Sequence, residues 1–141
     1  FIPDNYYEIL FMYKNHLRQI KKLGHLIGLH SHSHPTLIEA LSLEEQFNEY
    51  NTNIITISEL LNIDKKDIKS VAHPNGSYNQ DTLKIIKDLG IEIGFVDNMD
   101  ISKEKNMKKI NNSFLEIARE DCSTITLMMN NGKNKDFNNH S

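Results

Sequence analysis

A single cysteine, Cys122, stands in a chain of 141 residues. That excludes an internal disulfide framework and leaves the redox compartment open. Tryptophan is absent and proline occurs three times. Only two of the 16 basic side chains are arginines, Arg18 and Arg119, so each arginine is more informative than an ordinary lysine. No apolar run approaches the ~18 residues that span a bilayer, and no signal peptide is visible. The net charge of −3 leaves no basic footprint, which argues against nucleic acid as a partner. The chain begins at Phe1 rather than methionine, so residues upstream are expected to be missing and the compartment is not encoded in what is present. The length suits one domain with one core and is small for a closed barrel.

What the chain does have is histidine, 7 in all. Three alternate in His30-Ser31-His32-Ser33-His34-Pro35, directly after the apolar run Leu26-Ile27-Gly28-Leu29. His30 and His34 are four apart, so a turn-like or helical backbone brings both rings to one side. That is metal-ligand spacing at the end of a strand, where α/β proteins commonly place their chemistry. The spacing alone is a weak motif, and a polar loop in a histidine-rich chain is the alternative; its setting between a strand and a proline favours the metal. His32 points the other way on an extended segment and reads as a supporting or substrate-facing residue. His16 and His25 read as solvated, and Met12, Met128 and Met129 as packing.

The wider pattern is α/β. Phe1-Ile2-Pro3 reads as the tail of a strand. Ile9, Leu10, Met12, Tyr13, Leu17 and Ile20 follow at helical spacing up to Gly24. Ser42 and Glu45 form a capping box for a second helix, continued by Phe47, Tyr50, Ile54, Ile57 and Leu61 through Asn62. Ile68 to Ala72 reads as a strand that ends in the turn His73-Pro74-Asn75-Gly76-Ser77-Tyr78. Asn79 or Asp81 caps a third helix that closes at Gly90. Ile91 to Val96 and Phe114 to Ala118 read as strands, and the Asn- and Lys-rich tail 130–141 as disordered.

Strand–helix alternation predicts a parallel sheet or barrel with ligands at the strand C-termini. The chemically loaded residues then meet on one rim: His30 and His34, His73, Asp97 and Asp100, and finally Arg119, Glu120, Asp121 and Cys122. Polar loops begin at strand ends in any such fold, but three histidines, several carboxylates and the rare arginine together favour a site. Cys122 reads as a small packing residue, since a nucleophile needs a paired histidine.

Ile27-Gly28-Leu29-His30-Ser31-His32-Ser33-His34-Pro35 resembles the His-Ser/Thr-x-x-His-Pro motif of the polysaccharide deacetylases with a NodB homology domain, the fourth carbohydrate esterase family. Val71-Ala72-His73-Pro74-Asn75-Gly76-Ser77-Tyr78-Asn79 resembles that family's next motif. Phe1 to Tyr6 is similar to the segment after the second barrel strand, and Ile117-Ala118-Arg119-Glu120-Asp121 to a late Pro-Arg-x-Asp segment. The resemblance spans about Phe1 to Ile125 and implies a partial deacetylase domain over 1–129. The implied fold is a distorted (β/α) barrel, incomplete at its N-terminus. The implied activity is metal-dependent removal of N- or O-linked acetyl groups from a carbohydrate. His30 and His34 would hold zinc or a similar divalent cation. Pro74, Asn75, Gly76 and Tyr78 would form the substrate and oxyanion turn, with the Asn75 N–H as donor. His73, Arg119 and Asp121 are the catalytic candidates, with His73 as the acid.

The family's Thr-Phe-Asp-Asp-Gly motif, source of the base and the third ligand, has no counterpart here, and no Asp-Asp pair occurs. The resemblance therefore implies an N-terminally truncated domain, lacking the first strand and most of the second, inactive by itself and prone to self-association. Ala72 stands where an arginine often precedes the Pro-x-Gly turn, and Arg119 is expected to reach the site in its stead and orient the upstream base. The competing reading is a non-catalytic carbohydrate-binding or assembly module on the same scaffold, although 8% aromatics suit a sugar-stacking surface poorly. A third reading is an unrelated metal-binding α/β protein in which His73 completes a three-histidine site.

Overall fold

A computed structural model describes residues 12–97, 110–119, 125–127 and 129. The expected strand tail at Phe1-Ile2-Pro3, the helical positions Ile9 and Leu10, and the tail 130–141 lie outside them. The described elements are α1 (Lys14–Lys22), α2 (Leu43–Leu61), β1 (Ser70–Ala72), α3 (Gln80–Asp88), β2 (Ile93–Val96) and β3 (Ile117–Ala118). Short 3-10 turns at Ile38–Ala40 and Pro74–Gly76 stand immediately before α2 and after β1.

The helix boundaries follow local chemistry. The Ser42 hydroxyl accepts from the Glu45 N–H while the Glu45 carboxylate accepts from the Ser42 N–H at 2.8 Å, a reciprocal capping box that starts α2. The helix stops at Asn62, which takes the left-handed conformation (φ 54) that asparagine tolerates better than most residues. At the start of α3 the Asn79 Oδ1 accepts from the Thr82 N–H. Gly24 and Gly90 follow α1 and α3 at φ 91 and 85, where a side chain would be strained.

The sheet has the order β1-β2-β3, all parallel. Leu29 joins it by a single parallel bridge to Val71, with its N–H on the Ser70 carbonyl and its own carbonyl accepting from Ala72. All four expected strands are thus shorter than their apolar runs: β1 begins at Ser70 instead of Ile68 and β2 at Ile93 instead of Ile91, and the two outer ones shrink most. The run Leu26 to Leu29 contributes one bridged residue, and Leu26 is 87% exposed. Of Phe114 to Ala118 only Ile117 and Ala118 are strand, because the chain turns at Phe114 and Leu115 and lies so close to β2 that a Cβ on Gly94 would overlap the Leu115 carbonyl. The described residues therefore form an open parallel sheet with helices, not the expected barrel.

The core lies between this sheet, α2 and α3, and is built from Leu29, Ile38, Tyr50, Ile54, Ile68, Val71, Ile85, Ile86 and Ile91. Burial of such side chains is the main force holding the layers together. The inward face of α2 carries Gln46, Tyr50, Ile54 and Ser58 at four-residue steps. Phe47, expected on that face, is instead largely exposed, and Gln46 takes the inner position. Its amide donates to the Leu41 carbonyl and accepts from the Thr82 hydroxyl, a satisfied polar joint between the starts of α2 and α3. Arg18 ties α1 to the end of α2 by donating from Nε to the Leu60 carbonyl at 2.9 Å. Tyr50 is buried with its hydroxyl lacking a partner among the described residues, and burial pushes its ionisation well above the usual tyrosine value.

Replacing Ser42 by alanine removes one half of the α2 cap. Urea unfolding should register a loss of about 1 kcal/mol with an unchanged m-value.

Candidate metal centre

Parallel pairing fixes where the chain leaves the sheet. Leu29, β1, β2 and β3 all run the same way, so His30, His73, Asp97 and Arg119 emerge at one edge. Asp100, Glu120, Asp121 and Cys122, expected on the same rim, lie outside the described residues.

The histidine loop is held from two sides. From the sheet, the Ala72 carbonyl at the end of β1 lies 2.8 Å from His30 Nδ1. A carbonyl only accepts, so Nδ1 carries the proton and Nε2 is left with its lone pair. From α2, the Asn53 Oδ1 accepts the His30 N–H at 3.0 Å. One turn earlier, Glu49 Oε2 accepts the His32 and Ser33 N–H groups at 2.9 and 2.8 Å, and Oε1 accepts the Ser33 hydroxyl at 2.7 Å. Burial alone would raise the Glu49 pKa, but the donors of Ser33 and His32 outweigh it and hold the carboxyl below its ordinary 4.5.

Within this frame Ser31 and His34 take left-handed backbone angles (φ 62 and 55), a conformation that costs energy for residues with a Cβ. The buried Ser31 hydroxyl accepts the His34 N–H at 3.2 Å. The result is convergence: His34 Nε2 lies 3.1 Å from His30 Nε2. Two nitrogens each about 2.0–2.1 Å from one zinc ion would stand this far apart at an N–metal–N angle of roughly 100°, close to tetrahedral. The pair therefore fits a divalent cation, and the proton held on His30 Nδ1 is the tautomer that metal-ligating histidines use. Among the described residues no third histidine, cysteine or carboxylate joins it.

His73 does not join it. The ring is fully buried, its Nε2 donates to the Leu115 carbonyl at 2.9 Å, and it stacks on Tyr78 with centroids 4.6 Å apart. A three-histidine centre is thus not what these residues form. Burial pushes the His73 pKa down, so the ring is neutral with Nδ1 unpaired among the described residues. That suits a packing strut better than the expected acid. Tyr78 in turn donates to Glu116 Oε1 at 3.0 Å, which also accepts from Asn111 at 3.1 Å. Burial and the Glu116 carboxylate push the tyrosine up to about 12.

The turn Pro74–Gly76 is stitched to the histidine loop. Asn75 Nδ2 donates to the Thr36 carbonyl, the Glu39 N–H to the Ser77 hydroxyl, and Asn79 Nδ2 to the Glu39 carbonyl. Asn75 is left-handed (φ 52) and its backbone N–H forms no bond among the described residues. Gly76 (φ 65) lies against the Asp97 carboxylate, in space that a Cβ would fill. Arg119 is exposed at the exit of β3. Glu49, Asn53 and Glu116 escape a reading of sequence motifs. Their only signal is that Glu49 and Asn53 lie four apart on one helical face, which surface residues also do.

Residues 4–94, more than half of the chain, match the family model described as polysaccharide deacetylase. The chain belongs to that family. It is a family of hydrolases that also includes pseudoenzymes, and the match takes in both the histidine loop and the Pro74–Gly76 turn. No curated protein matches the chain. Among solved structures, the Streptococcus pyogenes deacetylase PplD in complex with acetate is 22% identical, with a TM-score of 0.62 over 78% of this chain and 45% of that one. The BpsB deacetylase domain from Bordetella bronchiseptica is 16% identical, with a TM-score of 0.58 over 78% of this chain and 48% of that one. BA3943, a CE4 family pseudoenzyme from Bacillus anthracis, is 21% identical, with a TM-score of 0.50 over 62% of this chain and 28% of its own. The chain spans less than half the length of these relatives, and at such identities the likeness speaks for the fold.

The buried His73 makes stability depend on pH. Its folded pKa lies below the ordinary 6.5 of the unfolded chain, so acid protonates the unfolded state first. Its contribution is whole above about pH 6.5 and is lost as the pH falls below that value. Urea midpoints should therefore fall between about pH 7 and pH 5, and His73→Gln should flatten that slope.

Proposed function

We propose that this deacetylase-family chain carries the cation-binding part of a hydrolase that removes acetyl groups from a carbohydrate. The observation that carries the reading is the His30–His34 pair, with its two Nε2 atoms 3.1 Å apart and the His30 tautomer fixed by Ala72. A divalent cation such as zinc, bound between them, supplies Lewis-acid polarisation of the acyl oxygen and a lowered pKa for water. His30 and His34 give it two nitrogens, and a third ligand has to come from outside the described residues.

The rest of the rim is read by what each group can donate or hold. The Asn75 N–H, without a partner among the described residues, is the donor for negative charge that develops on the acyl oxygen. Pro74 and Gly76 give the turn its shape, and Tyr78 and His73 brace it from beneath. His73, neutral and enclosed, is assigned to positioning in place of proton donation. Arg119, exposed at the end of β3, is assigned to orienting a carboxylate by its forked donors. Asp121 remains a catalytic candidate without an assigned step, on the strength of the Arg-x-Asp segment alone. Hydrolysis by these parts adds water across the acyl bond and releases acetate and the free amine or hydroxyl of the sugar.

A second reading rests on the missing third ligand among the described residues: a non-catalytic carbohydrate-binding module on the same scaffold. Acetate release from acetylated glucosamine oligomers by the complete gene product separates the two. The hydrolase reading expects release that a chelator stops and added zinc restores, and that His30→Ala or His34→Ala reduces to background. Zinc binding without acetate release would favour the module, and release that ignores the chelator would sink the metal assignment. Arg119→Lys should lower kcat more than it raises KM, because a lysine cannot reproduce the forked contact.

A further inference from the structure

The loop that carries His30 and His34 contains two residues in the left-handed region, Ser31 and His34. Neither is a glycine, so something outside the loop has to hold that backbone in place. Few of the loop's own groups do so: the one hydrogen bond between loop backbone and loop side chain is His34 N–H to Ser31 Oγ. Beside the Ala72 carbonyl, which holds the His30 ring from the sheet, the external anchors come from α2, where Glu49 and Asn53 stand one turn apart. They accept four hydrogen bonds from three loop residues: the backbone N–H groups of His30 and His32, and both the N–H and the hydroxyl of Ser33.

We propose that Glu49, seconded by Asn53, is the positioning residue of the metal centre, a carboxylate that never touches the cation but fixes the loop so that both imidazoles converge. This rests on reading His30 and His34 as cation ligands. Glu49 is well suited to the task because both its oxygens already accept hydrogen bonds from the loop. Neighbouring Asn53 places the N–H of the first ligand, while Glu49 places the two residues before the second. Without them the loop relaxes from its left-handed angles, and the two Nε2 atoms separate. The centre is then assembled by the ion instead of being ready for it, and affinity falls by the cost of ordering the loop.

The test is zinc and cobalt binding to the whole chain, read by calorimetry and by the cobalt absorption spectrum. In the wild type, binding that His30→Ala abolishes is the condition set by the parent reading; no binding there would remove that reading, not this one. Given binding, Glu49→Ala should weaken affinity by about 10–100-fold and alter the cobalt spectrum, with the circular dichroism of the apo fold retained. Glu49→Gln keeps an oxygen for the two backbone N–H groups and should recover most of the loss. Should Glu49→Ala fail to fold, Ser33→Ala deletes a single exposed bond of the clamp and should cost roughly two- to tenfold in affinity. Wild-type affinity and spectrum in Glu49→Ala, or in Ser33→Ala where that variant replaces it, would overturn the proposal. So would a Glu49→Gln variant as impaired as Glu49→Ala.

Discussion

The 2.8 Å contact between His30 Nδ1 and the Ala72 carbonyl is the point on which sheet and site both turn. Leu29 meets the sheet through a single bridge, so the segment that delivers the histidines has little strand pairing of its own. Ala72 supplies what pairing would have given. Its N–H donates to the Leu29 carbonyl and its carbonyl accepts from the imidazole. One residue, through the two peptide units it joins, thus sets both the height of the loop above the sheet and the tautomer of the ring. A chemical requirement of the site is met by the same backbone hydrogen-bonding need that folds the sheet.

Around that contact the molecule divides its work by element. The sheet supplies direction, since parallel strands bring every exit to one edge. Helix α2 supplies restraint through Glu49 and Asn53 on the loop side and Tyr50 and Ile54 on the core side. The turn after β1 supplies an N–H without a partner among the described residues, and His73 and Tyr78, which with Glu116 form a hydrogen-bonded and stacked column. Likeness to PplD and BpsB, at low identity, is a likeness of fold.

Much of this was legible in the chain. Ser42 with Glu45, Asn79 and Gly90 marked helix ends because capping is local chemistry, decided within four residues. The His30–His34 spacing pointed to convergence for the same reason. Strand lengths were not legible at either end of the sheet. Leu26 to Leu29 and Phe114 to Ala118 are apolar enough to pair, yet pairing depends on whether a partner backbone is alongside, and hydropathy carries no record of that. Gln46 and Phe47 exchanged places for a related reason: a glutamine is buried only because Leu41 and Thr82 meet its amide, which is tertiary information. His73 read as a reactive group by its position after a strand, whereas the Leu115 carbonyl that accepts from its ring lies 42 residues away in sequence and the stacking of Tyr78 on it depends on how the turn folds back.

Asn79 serves two masters. Its side-chain oxygen ends the row of unsatisfied donors at the beginning of α3, and its side-chain nitrogen holds the Glu39 carbonyl just ahead of α2. One small amide therefore joins a helix terminus to the segment that leads into the next layer. A substitution there removes both contacts at once, so the start of the third helix and the backbone at Glu39 lose their tie together.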